Sequence, residues 1–81
     1  MPRVSGKQDS DQLLARLGDA IRAQRKALGL SQEALADAAG IDRSHMGKIE
    51  RGERNVTLLN IARIAAAMDR EPSEILSAAG L

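Results

Sequence analysis

Apolar residues recur along the chain at helical spacing, in five runs separated by glycines and short polar stretches. Over about residues 11–28, Leu14, Leu17, Ile21 and Leu28 mark one face of a long first helix that Gly29 ends. Arg25 interrupts that stripe where a hydrophobe is expected. Ser31 is placed to cap a short second helix over residues 32–39, which Gly40 closes in the left-handed conformation. Ile41 then forms an apolar plug, and Asp42 caps a third helix over about residues 43–51. In that helix Met46 and Ile49 point inward, with Asp42 and Glu53 at its edges, while Arg43, Ser44, Gly47, Lys48 and Arg51 share the opposite face. After Gly52 and a polar loop, Thr57 caps a fourth helix whose Leu58, Ile61, Ile64, Ala65 and Met68 face the core. A turn over residues 69–71 leads to Pro72 and a short fifth helix over residues 73–79. Residues 1–10, with Arg3 and Lys7, read as a flexible arm, and residues 11–81 as one domain.

Composition narrows this pattern to an all-α fold. The 81 residues are 43% apolar without a Phe, Trp or Tyr, so the core is built from Leu, Ile, Val, Ala and Met in closely packed helices. With no Cys and one His, disulfides, thiol chemistry and nearly all zinc arrangements drop out; no metal or cofactor is expected. His45 lacks a Ser or carboxylate constellation, and no glycine-rich phosphate loop follows a strand, so an enzyme is the weakest reading. No apolar run approaches the length of a membrane span, and the start MPRVSGKQDS is polar. The expectation is a soluble, cytoplasmic protein without a membrane partner.

Net charge is only +1, but its distribution is uneven: Arg43, Lys48, Arg51 and Arg54 cluster against Glu50 and Glu53. Such a cluster, Arg51 included, can attract phosphate; the alternative is an ordinary solvated face. Two short helices joined by a glycine turn, over about residues 31–51, follow the helix-turn-helix plan, whose second helix enters the DNA major groove. Arg43, Ser44 and Lys48 sit where that helix aims its side chains at base edges. Without aromatic platforms for unpaired bases, duplex DNA suits the chain better than RNA or single strands. A protein-interaction module on the same fold is the rival of another class. Two copies about 34 Å apart read successive major-groove faces, which makes a homodimer the expected state. Ile75, Leu76 and Leu81 in and after the fifth helix are candidate interface residues, with intramolecular packing as the alternative.

The stretch LSQEALADAAGIDRSHMGKIERGERNVTLLNIARIAAAM resembles the phage repressor and Cro-type (XRE-like) helix-turn-helix family, with Gln32, Ala36, Gly40, Ile41, Met46, Ile49 and the IERG ending at that family's spacings. Its ERGERNVTLLNIARIA run is most similar to the short controller proteins of restriction-modification systems; other small phage- or plasmid-type repressors and antitoxin-like regulators are the alternative. The resemblance implies a compact five-helix, lambda-repressor-like DNA-binding domain that regulates transcription, with duplex DNA, a second copy and RNA polymerase as candidate partners. It implies base-edge roles for Arg43, Ser44 and Lys48, and phosphate contacts from Arg54, Asn55 and the Thr57 end of the fourth helix. Gln32 would touch a phosphate and steady Arg43 or its neighbours. His45 stands where controller proteins often have an aromatic residue, and either contacts DNA or forms a solvent-exposed flank.

Arg25 needs its own account. A guanidinium on an apolar face is costly unless a carboxylate meets it. Glu50 follows Met46 and Ile49 at helical spacing, and the resemblance places an Arg and a Glu at these positions as a buried ion pair. The alternative is an Arg25 that snorkels to solvent.

Overall fold

The computed structural model describes residues 12–81; the expected arm and Asp11 lie outside the described residues. Five helices follow in order: α1 (Leu13–Ala27), α2 (Gln32–Ala39), α3 (Arg43–Glu50), α4 (Leu58–Ala67) and α5 (Pro72–Ala78). The described residues contain no strand. Local chemistry sets these bounds. The Ser31 hydroxyl accepts the Ala34 amide at 3.0 Å and the Thr57 hydroxyl the Asn60 amide at 3.1 Å, each satisfying a donor that the helix start leaves open. At α5, Pro72 fills the first position and the Glu74 carboxylate reaches back to the Glu71 amide at 2.9 Å.

The helices enclose one apolar core. Ile21, Leu35, Met46, Ile49, Ile64 and Ile75 are fully buried, and Leu17, Ile41, Ile61 and Met68 complete the cluster. α2 packs on α4 and α3, while α1 packs on α3 and α5. The contact between α1 and α3 is unusually close because of Gly18. A Cβ there would collide with the backbone carbonyl oxygens of Glu50 and Ile49. Gly52 does the same from the other side, its missing Cβ leaving room for the Ala15 backbone. These two glycines fix how near α3 sits to the helix behind it. Next to Ala15, Arg16 ties α1 to the residues that follow α5, donating from Nε to the Ala79 carbonyl at 3.1 Å and from Nη2 to the Gly80 carbonyl at 3.0 Å.

Three expected core or interface positions differ from the pattern. Leu28 is exposed, because the chain turns through Gly29 and brings Leu30 back onto the core, with the Leu30 amide bonded to the Arg25 carbonyl. Leu58 is 73% exposed: it is the first residue of α4, and its side chain leans back towards the helix start, away from the body that packs on α2. Ile75, expected at a subunit interface, is fully buried within the protomer, because α5 folds back against α1 and α4. Leu76 is partly buried against the same core, and Leu81 is exposed.

Candidate nucleic-acid interface

The candidate site is the unit α2, turn, α3. The turn is set by Gly40 at φ 69°, which lets the Ile41 amide bond back to the Ala36 carbonyl and drops the Ile41 side chain into the core. The Asp42 carboxylate then accepts the amides of Ser44 at 3.0 Å and His45 at 3.3 Å. The His45 amide, followed by the Ser44 side chain, holds the Asp42 carboxyl below the usual carboxylate range. Both helix starts are therefore fixed by local hydrogen bonds, and Met46 and Ile49 anchor α3 from beneath.

Behind α3 lies a buried polar brace. Arg25 Nε donates to Glu50 Oε2 at 2.8 Å and Nη2 to Glu50 Oε1 at 3.1 Å, and Nη1 reaches the Leu30 carbonyl at 2.9 Å. Arg25 does not snorkel; only 10% of its side chain is accessible, and 2% of that of Glu50. Gln32 completes the group, its Nε2 donating to Glu50 Oε1 at 3.1 Å. The brace ties α1, α2 and the end of α3 together. The expected link from Gln32 to Arg43 is absent, because the Gln32 amide is turned towards Glu50, and the Arg43 guanidinium instead pairs with Glu33 at 2.9 Å.

On the outer side, Arg43 and Ser44 are exposed and Lys48 is partly so. Gly47, expected among them, is buried: it lies beneath the Arg51 guanidinium and the Gln32 amide, and a Cβ would stand 3.1 and 3.3 Å from them. Arg51 caps the end of α3 and pairs with Glu53 through Nε at 2.9 Å and Nη2 at 3.3 Å. The hydrogen bond from Arg51 keeps the Glu53 carboxyl below its ordinary range. His45 is half-buried beside a hollow of about 230 Å³ with Gly40, Ile41, Asp42, Asn60 and Arg63. Arg54 and Asn55 are exposed in the loop that runs to Thr57 at the start of α4. Sequence reasoning missed Gly18, Arg16 and Glu33. Only the first left a signal, a mid-helix glycine on the stripe between Leu14 and Ile21.

A family model described as helix-turn-helix matches residues 21–75. The chain belongs to the helix-turn-helix family. Its relatives include the control protein C.SmaI of Serratia marcescens, 38% identical over 65 residues that cover 80% of this chain and 77% of that protein. The control protein C.MunI of a Mycoplasma species is 38% identical over 63 residues, 76% of this chain and 85% of its own. Among solved structures, the restriction-modification controller protein C.AhdI of Aeromonas hydrophila superposes with a TM-score of 0.75 at 52% identity, over 76% of this chain and 94% of that one. This helix-turn-helix unit spans α2 and α3, and the exposed Arg43 stands at the start of α3. Among the described residues no helix is long and apolar enough to cross a membrane.

Proposed function

We propose that this protein is a controller-type regulator of transcription that binds duplex DNA sequence-specifically as a homodimer. The observation that carries the reading is the exposed first turn of α3, with Arg43 and Ser44 at its tip, set on a rigid support of Gly40, Asp42 and the Arg25–Glu50 brace. Laid into a major groove, that turn offers Arg43, Ser44 and Lys48 to base edges, with His45 on the flank. Gln32, Arg51, Arg54, Asn55 and the Thr57 end of α4 face the phosphates. Gln32 and Arg51 do so with the donors left over from Glu50 and Glu53. One such unit reads too few base pairs for high affinity, so a second copy is needed. The exposed Leu58, Leu59 and Leu81 and the half-buried Leu76 supply apolar surface in and around α4 and α5 for it. Its partners are duplex DNA, that second copy and, in its regulatory role, RNA polymerase; its place is the cytoplasm, and no catalysis is assigned to it.

The test is selection of bound duplexes from a random pool. A palindromic consensus with half-sites one helical turn apart is expected, and a consensus without two-fold symmetry would remove the dimer from the reading. On the selected duplex, Arg43→Ala should weaken binding by about 1 to 3 kcal/mol while leaving random DNA far less affected. Arg54→Ala should weaken both alike and lower the salt slope by about 1.

A further inference from the structure

Arg43 is the first residue of α3, where the positive end of the helix dipole disfavours a cation. Two carboxylates offset this: Asp42 at the cap, and Glu33 in the first turn of α2, whose Oε1 lies 2.9 Å from Arg43 Nη2. The side chains are 63% and 58% accessible, so in water the pair contributes little to folding. Its geometry matters more than its strength. A guanidinium has five donors in one plane, and a carboxylate on one of its nitrogens leaves the others available to a second pair of acceptors. The combined unit also carries no net charge, so a phosphate, which attracts a free arginine from any direction, gains little from it.

We infer that Glu33 is a specificity-determining positioning residue that stays beside Arg43 in the DNA complex, aims its guanidinium at the paired acceptors of a guanine edge and withholds it from phosphates. The inference rests on the proposed role of Arg43 as a base reader. Guanine offers O6 and N7 at fixed positions, which an oriented guanidinium matches and a freely rotating one finds less often. Because the pair persists on binding, no energy is lost in breaking it, and exclusion of water by the DNA strengthens it. A register-shifted complex presents phosphate oxygens instead, and there the Glu33 carboxylate adds repulsion.

The experiment measures binding of the full chain to its selected duplex and to random duplexes across a salt series, for Glu33→Ala, Glu33→Gln, Arg43→Ala and the double variant Glu33→Ala with Arg43→Ala. Glu33→Ala is expected to weaken the selected duplex roughly three- to tenfold. It should also tighten random DNA and steepen the random-DNA salt slope by about 1 as Arg43 turns to phosphate. Glu33→Gln, which keeps an acceptor oxygen without the charge, should fall between. In the Arg43→Ala background the loss on the selected duplex should disappear. Should Glu33→Ala tighten both duplexes equally, with or without Arg43, Glu33 is only a repulsive charge and the inference is overturned. Loss of discrimination by neither Arg43→Ala nor Glu33→Ala would instead overturn the base-reading role of Arg43, and the inference with it. Circular dichroism follows the fold of each variant, and Glu33→Gln carries the test if Glu33→Ala unfolds.

Discussion

Arg25 and Glu50 meet through two parallel hydrogen bonds, Nε to Oε2 at 2.8 Å and Nη2 to Oε1 at 3.1 Å, and so join the last turn of α1, at the end of its core-facing stripe, to the last residue of α3. Removing either partner leaves a buried charge without its counter-ion. Arg25→Ala or Glu50→Ala alone should therefore destabilise the protein by roughly 3 to 5 kcal/mol, a large part of the stability of so small a domain. Replacing both by hydrophobes, as in Arg25→Met with Glu50→Leu, should cost far less, because neither charge remains to be desolvated. Thermal unfolding followed by circular dichroism measures the cycle. Additive losses would show that the pair, despite its geometry, carries no coupling energy.

Gly18 sets a second constraint on the same helix contact. Ala is the better helix former by about 1 kcal/mol, so on an open helix Gly18→Ala would stabilise. Here its Cβ would meet the carbonyl oxygens of Glu50 and Ile49, backbone atoms that cannot rotate away. The expected result is a net loss of about 3 kcal/mol, at the upper end of overpacking, seen as a fall in Tm of more than about 10 °C. Binding to the selected duplex should weaken as well, because α1 can yield only by shifting α3. An unchanged Tm would mean that the two helices part without cost.

What the sequence made legible and what it hid divide along one line. Ser31, Gly40, Asp42 and Thr57 were readable because each acts on its own backbone within a few residues. The inward Met46 and Ile49 were readable because α3 has a neighbour along its whole buried face. Leu28 and Leu58 depart from the pattern, and Ile75 takes the intramolecular alternative, for the complementary reason: periodicity states which face a side chain occupies, not whether another helix reaches that far. Leu58 has the right phase and nothing to pack on, while Ile75 finds a core that the fold brings to it from α1 and α4. At the site, the charge on Arg43 was evident, but its partner was not. Gln32 and Glu33 are adjacent in sequence, and only the three-dimensional arrangement sends the first to Glu50 and the second to Arg43.

The cap on α3 makes stability depend on acid. Hydrogen bonds from the His45 amide and from Ser44 lower the Asp42 carboxyl below its unfolded value. A depressed carboxyl contributes in full above its unfolded value, around pH 4, and the contribution is lost as pH falls through the folded one. Lowering pH from neutrality should leave Tm nearly level and then reduce it in the acid range. Asp42→Asn keeps a capping oxygen that does not titrate, so its Tm should fall less steeply there than that of the wild type. Parallel acid profiles for the two proteins would show that Asp42 does not titrate with folding.

All five helices end on a residue in the left-handed conformation, a glycine in four of them and Asp69, at φ 56°, in α4. The amides of Asp69 and Arg70 bond back to the carbonyls of Ala66 and Ala65, so the backbone there has the same form as at the glycines. An L-residue in that conformation is strained by about 1 kcal/mol, less for Asp than for most because its side chain is short and polar. Asp69→Gly should therefore leave stability within about 0.5 kcal/mol of the wild type, the relief of strain being offset by the added freedom of the unfolded chain. Gly40→Ala is the matched reverse. A Cβ at Gly40 meets nothing within 4 Å, so the change isolates the backbone cost and should destabilise by about 1 kcal/mol. Gly52→Ala shares the positive φ but also drives a Cβ into the backbone of Ala15, and should cost clearly more than Gly40→Ala. Unfolding temperatures of the three variants give the comparison directly. Equal losses at Gly40 and Gly52 would mean that α1 moves aside from Gly52 without penalty, and the close seat of α3 against α1 would then rest on Gly18 alone.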